Sequence, residues 1–287
     1  MTTHKQPTLL LGLIGADIQA SRTPAMHEGE AEAHGVRCVY QLIDLEQLGL
    51  GQDALPDLVM AAERMGFSGL NVTHPCKQTV IPLLTELSDD ARALGAVNTV
   101  VLGQGKRVGH NTDWWAFRQS FRSAFPDVPI GRVVQLGAGG AGAATAYATL
   151  EMGGGELTIV DVAPGRARIL AARLAGLFPG RVHAGEDLVS ALATADGLIH
   201  ATPTGMAGHP GLPLPAELLR PELWVAEIVY FPLETELLHA ARRLGCRTSD
   251  GSGMAVYQAA EAFRLFTGLQ PDVSRMRGYF AAAGPPA

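Results

Sequence analysis

Short apolar runs alternate with segments of helical period along almost the whole chain. The runs Leu9–Ile14, Val36–Asp44, Phe67–Val72 and Val97–Leu102 read as strands in the first part. Arg132–Leu136, Leu157–Val160, Arg181–Ala184, Asp196–His200 and Trp224–Ile228 read as strands in the second. Helices are predicted between them over Pro24 to about His34, Leu55–Met65, Pro75–Leu84, Asp89–Leu94 and Trp114–Phe125. Further helices are predicted over Ala143–Met152, Arg166–Leu177, Asp187–Ala193, Thr235–Leu244 and Val256–Thr267. In the last of these, Val256, Ala259, Ala260, Phe263 and Phe266 recur at spacings of three and four, so one face is buried. Strands alternating with helices argue an α/β fold built on mainly parallel sheets.

Composition narrows the class. The chain has 287 residues, 47% hydrophobic and 17% charged, enough for a large core in two domains, with Pro126–Gly131 as a linker. The formal net charge is -6 and no Lys/Arg-rich run occurs, which argues against nucleic-acid or membrane-surface partners. Cys38, Cys76 and Cys246 are far apart and form no CxxC pair, so each is expected to be a buried thiol. The start, Met1 to Pro7, is polar and has no signal-peptide layout, and Thr8–Ile14 is too short to span a bilayer. A cytoplasmic protein, monomer or homodimer, is expected. The histidines show no HExxH or paired spacing, so no metal is expected. His200, at a strand end, reads as a hydrogen-bonded core residue.

Candidate chemistry sits at strand ends. Arg132–Leu136 runs into Gly137-Ala138-Gly139-Gly140-Ala141-Gly142, then a helix, then a strand closing at Asp161. This is the dinucleotide-binding context of strand, G-x-G-x-x-G, helix, strand and acid. Asp161 falls 19 residues after Gly142, near the roughly 20 expected. A carboxylate there accepts from ribose hydroxyls and repels a 2′-phosphate, so NAD is the expected cofactor. Arg166 follows a Pro-Gly turn, where it lies against the adenine or pairs with a phosphate. Thr202, after the strand ending at His200, lines the same sheet edge. In the first part, Asn71, Thr73, His74 and Lys77 crowd a strand end broken by Pro75. They are either a solvated turn or a reactive edge. Ser21 and Thr23 precede a helix, as caps or as carboxylate binders. Asp113 opens another helix as a cap or as a site residue. Gln258 lies on a different face near its helix start, solvated on physics alone.

Read together, the motifs resemble one family. Ser-x-Thr-Pro-x-x-His at 21–27, Asn-Val-Thr-x-Pro-x-Lys at 71–77, Gly-Ala-Val-Asn-Thr at 95–99, Asn-Thr-Asp at 111–113, the glycine-rich turn and Gly-Met-x-x-x-Gln at 253–258 occur in one order. The series resembles the shikimate dehydrogenase family, and within it the NAD-dependent quinate/shikimate branch. The resemblance implies a substrate domain over 1–112, completed by helices in 252–287, and a Rossmann-type NAD domain over 113–251. It implies that Ser21 and Thr23 hold a carboxylate, with Tyr230 near it. Asn71, Thr73, Asn98, Asp113 and Gln258 would hold ring hydroxyls. Lys77 and Asp113 would flank the reacting hydroxyl, and which of them is the base stays open, with Lys77 favoured. Gly137, Ala138, Gly139, Gly140, Ala141, Asp161, Arg166, Thr202, Val229, Gly251 and Met254 would meet the cofactor.

Two departures from the biosynthetic members matter. Those usually have Ser at Thr23 and Asn at Glu28, and an Asn-Arg-Thr run where this chain has Asp161-Val162-Ala163. Both favour NAD and a substrate set of quinate and shikimate. An NADP-using biosynthetic enzyme, an aminoshikimate-type enzyme and a non-catalytic nucleotide sensor are the rivals.

Overall fold

The computed structural model describes residues 8–283. The polar start, 1–7, and the end, 284–287, lie outside the described residues. The chain divides into two compact units, one of residues 1–112 with 258–287 and one of 113–257.

The first unit opens with β1 (Thr8–Gly15), α1 (Thr23–Ala33), β2 (Arg37–Asp44), α2 (Leu55–Arg64) and β3 (Gly69–Val72). It continues with β4 (Glu86–Leu87), α3 (Asp89–Leu94), β5 (Thr99–Gly103) and β6 (Lys106–His110). Its sheet runs β2-β1-β3-β5-β6-β4. β1 pairs in parallel with β2 and β3, as its nearly continuous apolar sequence requires. β5 is antiparallel to both β3 and β6. Neither β4 nor β6 is evident from hydrophobic pattern, since both are polar. The β5–β6 connection is two residues, Gln104 and Gly105, both with positive φ, the backbone of a tight hairpin turn. α3 carries a full set of end signals. The Ser88 side chain accepts from Ala91 N–H, and Gly95 closes the helix in the left-handed region.

The predicted helix Pro75–Leu84 does not form. Residues 74–80 make turns, and only Ile81–Leu83 winds, as a 3-10 segment. Two backbone facts account for this. The Lys77 carbonyl accepts from Val97 N–H at 2.8 Å instead of from the residue four ahead. Pro82 has no N–H to give Gln78. Ile81 N–H therefore bonds the Gln78 carbonyl at 3.2 Å, the tighter three-residue spacing.

The second unit holds α4 (Asp113–Ala124), β7 (Arg132–Leu136), α5 (Gly140–Glu151), β8 (Glu156–Val160), α6 (Pro164–Ala175) and β9 (Val182–Ala184). It goes on through α7 (Leu188–Ala193), β10 (Gly197–His200), β11 (Trp224–Glu227), α8 (Glu236–Arg243) and β12 (Arg247–Ser249). Every pairing in its sheet is parallel, in the order β12-β11-β10-β7-β8-β9. That is the doubly wound dinucleotide-binding order, with β7 at the point where the winding reverses.

α9 (Ser252–Thr267) starts four residues before its predicted start at Val256. The Asp250 carboxylate accepts from Ser252 N–H at 2.9 Å and from its hydroxyl, nucleating the helix early. Gln258 consequently sits in the second turn rather than near the helix start. α10 (Val273–Ala282) docks on α1 through an ion pair. Arg275 donates to both oxygens of the fully buried Glu30, at 2.7 and 2.8 Å, and Asp272 N–H adds a third bond at 2.8 Å. Burial alone would raise the Glu30 carboxyl, but Arg275, Asp272 N–H and His34 outweigh it and hold the group below its ordinary value.

His27, on α1, is fully buried among rings. It stacks on Tyr40 at a centroid distance of 5.0 Å and meets Phe263 and Phe266 at 6.1 and 5.9 Å. Burial pushes its pKa down from 6.5 to about 3. The folded chain refuses a proton that the unfolded chain takes up near pH 6.5. The stability from neutral His27 is therefore complete above that pH and is lost on acidification. Between pH 6.5 and 5 its share of the slope approaches about 1.4 kcal/mol per pH unit. Urea unfolding of the wild type and of His27→Leu across that window is expected to show a shallower slope in the variant. Equal slopes would refute the assignment. Of the three thiols, Cys76 and Cys246 are buried, whereas Cys38 is only half-buried because β2 is a sheet edge.

Candidate active site

The first unit gathers most of the predicted substrate residues at the carboxyl end of β1 and β3. Thr73 N–H donates to the Ile14 carbonyl and Ala16 N–H to the His74 carbonyl, both at 2.9 Å, so the chain after β3 is stitched to the end of β1. Lys77 is half-buried in the turn that follows, between the buried Cys76 and Val80. The buried Asp44 carboxylate accepts from Asp17 N–H, Ile18 N–H and the Gln19 amide, fixing the loop that leads to Ser21. Ser21 and Thr23 bring their hydroxyls within 3.0 Å of each other at the start of α1. Neither is the N-cap; that position is Arg22, which makes no side-chain cap bond. Ser21 Oγ also accepts from Thr23 N–H at 3.3 Å, so the two residues are tied together at the helix start.

Asn71 and Asn98 are buried in one polar network with Tyr40, Thr99 and Thr112. Gln258 joins through its backbone, its carbonyl accepting from Thr112 Oγ1 at 3.2 Å. Tyr40, Thr99 and Thr112 are not among the predicted site residues. The signal for the first two was a polar side chain inside an apolar strand run.

In the second unit the glycine-rich loop follows β7. Gly137 has φ +102°, and a Cβ there would lie 2.4 Å from the Ala201 carbonyl oxygen. A Cβ on Gly142 would lie 2.4 Å from the Gly137 oxygen. Both positions therefore require glycine, and the loop lies flat against the turn that carries Thr202. Beneath it, the fully buried Gln135 donates to the Gly137 and Gly142 carbonyls at 2.9 and 2.8 Å. α5 begins at Gly140, so its first N–H groups point out of this loop.

Asp161 closes β8 beside the loop. Its two oxygens accept from Ala138 N–H at 2.8 Å and Ala163 N–H at 2.9 Å. Val162, next in the chain, is fully exposed, and Arg166 is exposed in the first turn of α6. Thr202 and Val229 share one anchor. His200 Nδ1 lies 2.9 Å from both Glu227 oxygens, and its Nε2 faces Thr202 Oγ1. Glu227 also accepts from Val229 N–H at 2.9 Å. His200 is thus a fully buried, hydrogen-bonded core residue, as its strand-end position predicts. Gly251 packs on this turn, where a Cβ would lie 2.6 Å from the Val229 oxygen. Met254 is buried in the first turn of α9, Tyr230 is exposed, and Asp113 is buried as the first residue of α4. Among the described residues no group of three or more His, Cys, Asp or Glu could hold a metal ion. No described helix is long and apolar enough to cross a membrane.

Comparison with known proteins gives the fold and the chemistry a family. Residues 13–100 match the shikimate dehydrogenase substrate binding domain, and 251–278 match the shikimate 5'-dehydrogenase C-terminal domain. A shikimate dehydrogenase (NADP(+)) of Streptomyces avermitilis is 58% identical, over 94% of each chain. A quinate/shikimate dehydrogenase (NAD(+)) of Corynebacterium efficiens is 49% identical, over 95% of this chain and 98% of its own. Quinate dehydrogenase from Corynebacterium glutamicum, solved in complex with NAD, superposes with a TM-score of 0.91 at 46% identity, covering 96% of this chain and 99% of its own. The chain is an α/β oxidoreductase that belongs to the shikimate dehydrogenase family.

Proposed function

We propose that this protein is an NAD-dependent quinate/shikimate 3-dehydrogenase that interconverts the hydroxy acid and its 3-dehydro acid. Asp161 carries the choice of cofactor. Its carboxylate stands beside the glycine-rich loop, where a 2′-phosphate would meet negative charge. The two residues after it, Val162 and Ala163, supply no side-chain donor to hold such a phosphate. The loop suits a pyrophosphate, since Gly137 and Gly142 leave its backbone open at the start of α5. Thr202, Val229, Gly251 and Met254 complete the cofactor edge, and Arg166 lies toward the adenine.

Ser21 and Thr23 receive the substrate carboxylate, with Tyr230 near it. Asn71, Thr73, Asn98, Asp113 and Gln258 take ring hydroxyls. When bound, the nicotinamide accepts the hydride that leaves the C3 carbinol carbon. The hydroxyl proton must leave in the same oxidation, and Lys77 receives it as general base. Asp113 holds that hydroxyl in place. The carbinol thus loses one hydride and one proton, and the carbonyl of the 3-dehydro acid forms. Such a protein works in the cytoplasm, as a monomer or homodimer.

The test is the initial rate of reduced-nicotinamide formation with NAD and NADP crossed against quinate and shikimate. Turnover with NAD on both acids is expected. Turnover confined to NADP and shikimate would overturn the cofactor reading and leave an NADP-dependent shikimate dehydrogenase, the activity for which the Streptomyces relative is named.

A further inference from the structure

The asparagines assigned to the ring hydroxyls are joined by hydrogen bonds that have a direction. Thr112 N–H can only donate, so the Asn98 atom 2.8 Å from it is Oδ1. Asn98 Nδ2 then donates to Thr112 Oγ1 at 3.0 Å. Thr99 Oγ1, 3.0 Å from Asn98 Oδ1, donates to it. Its single proton is committed there, so Thr99 Oγ1 accepts from Asn71, and the Asn71 atom 3.1 Å away is Nδ2. Asn71 Oδ1 is thereby turned toward Tyr40, whose hydroxyl donates to it at 2.8 Å. Thr112 N–H thus orients the Asn98 amide, and the Asn98 backbone carbonyl, which accepts from Asn71 Nδ2 at 3.4 Å, orients Asn71 the same way as Thr99 does.

Tyr40 heads this chain from β2, outside every motif of the sequence. It is buried, and that burial raises its phenol well above the ordinary range, so the hydroxyl remains a donor. Without it, Asn71 Oδ1 loses its partner, and the amide is held at its Nδ2 end alone, by Thr99 Oγ1 at 3.1 Å and the Asn98 carbonyl at 3.4 Å. The oxygen that a ring hydroxyl would meet is then no longer fixed in place.

We propose that Tyr40 is a positioning residue of the substrate site: with Thr99, it holds the Asn71 amide in the orientation that meets a polyhydroxylated ring acid. The inference rests on the reading of those asparagines as substrate contacts.

The experiment compares Tyr40→Phe, Thr99→Val and Thr99→Ser in the full chain. Tyr40→Phe keeps the ring stacked on His27 and removes only the donor. Thr99→Val keeps the shape and removes the link between the two amides. Thr99→Ser keeps the hydroxyl. In the first two variants, KM for quinate and shikimate is expected to rise about tenfold, the loss of one buried hydrogen bond. KM for NAD should hold, while the unfolding temperature should fall modestly, since a buried acceptor is left without its donor. Thr99→Ser should return KM for the acids to within about twofold of wild type. A lowered unfolding temperature with unchanged acid KM in Tyr40→Phe and Thr99→Val would mean a structural role only and overturn the inference, leaving the proposed function intact. A wild type inactive on both acids would overturn that function, and the inference with it.

Discussion

Replacing Lys77 with alanine should lower kcat about a thousandfold, within the range that a positioned acid–base group contributes. KM for the acid should move little, because the proton transfer is felt in the transition state rather than in binding. The structure makes this a clean experiment. The Lys77 backbone is held by Val97 N–H on its carbonyl, and its neighbour Cys76 is buried. Alanine therefore removes the ammonium and leaves the peptide where it was. Steady-state rates with saturating cofactor decide the matter, with the unfolding temperature as a check on the fold. Turnover within threefold or so of wild type would remove Lys77 from the chemistry.

Replacing Asp161 with alanine should weaken NAD and relax discrimination against NADP. The carboxylate has two tasks here. It accepts from Ala138 N–H and so pins the glycine-rich loop to the end of β8. On the proposed reading it also meets the ribose hydroxyls, and would repel a 2′-phosphate. A hydrogen bond to a charged group contributes about 1.5–3 kcal/mol, so KM for NAD should rise about ten- to hundredfold. NADP should suffer less, because loss of the negative charge removes a repulsion as it removes an anchor. The ratio of kcat/KM for NAD over NADP is the quantity to measure, with KM for the acid as the internal control. A ratio unchanged from wild type would place the ribose contact elsewhere.

Much of the architecture follows from one-dimensional signals. The apolar runs that became β1, β7, β8, β10 and β11 are buried strands of parallel sheets, and such strands need apolar residues on both faces. The glycine-rich loop is legible because its chemistry is local: a turn, a close approach and a helix start all fall within a few residues. Asp161 is legible because a short helix separates it from that loop at a fixed length. Lys77, Asn71, Ser21 and Thr23 carried weight only as members of an ordered series of motifs, since each alone fits an ordinary cap or surface turn.

The fold class, the glycine-rich loop with Asp161 beside it, and the family could therefore be read along the chain in one dimension. Each of these rests on local periodicity or fixed spacing. The remaining features rest on groups far apart in the chain. Residues 75–84 have local helical pattern, but Val97 claims the Lys77 carbonyl from outside. β4 and β6 are polar: β6 pairs with β5 across the Gln104-Gly105 turn, and β4 pairs with β6 in its turn. Tyr40 reaches Asn71 from 31 positions away, and no local period encodes that meeting. A hydrogen bond between distant residues is a property of packing, and it becomes visible only when the sheets have set the strands side by side.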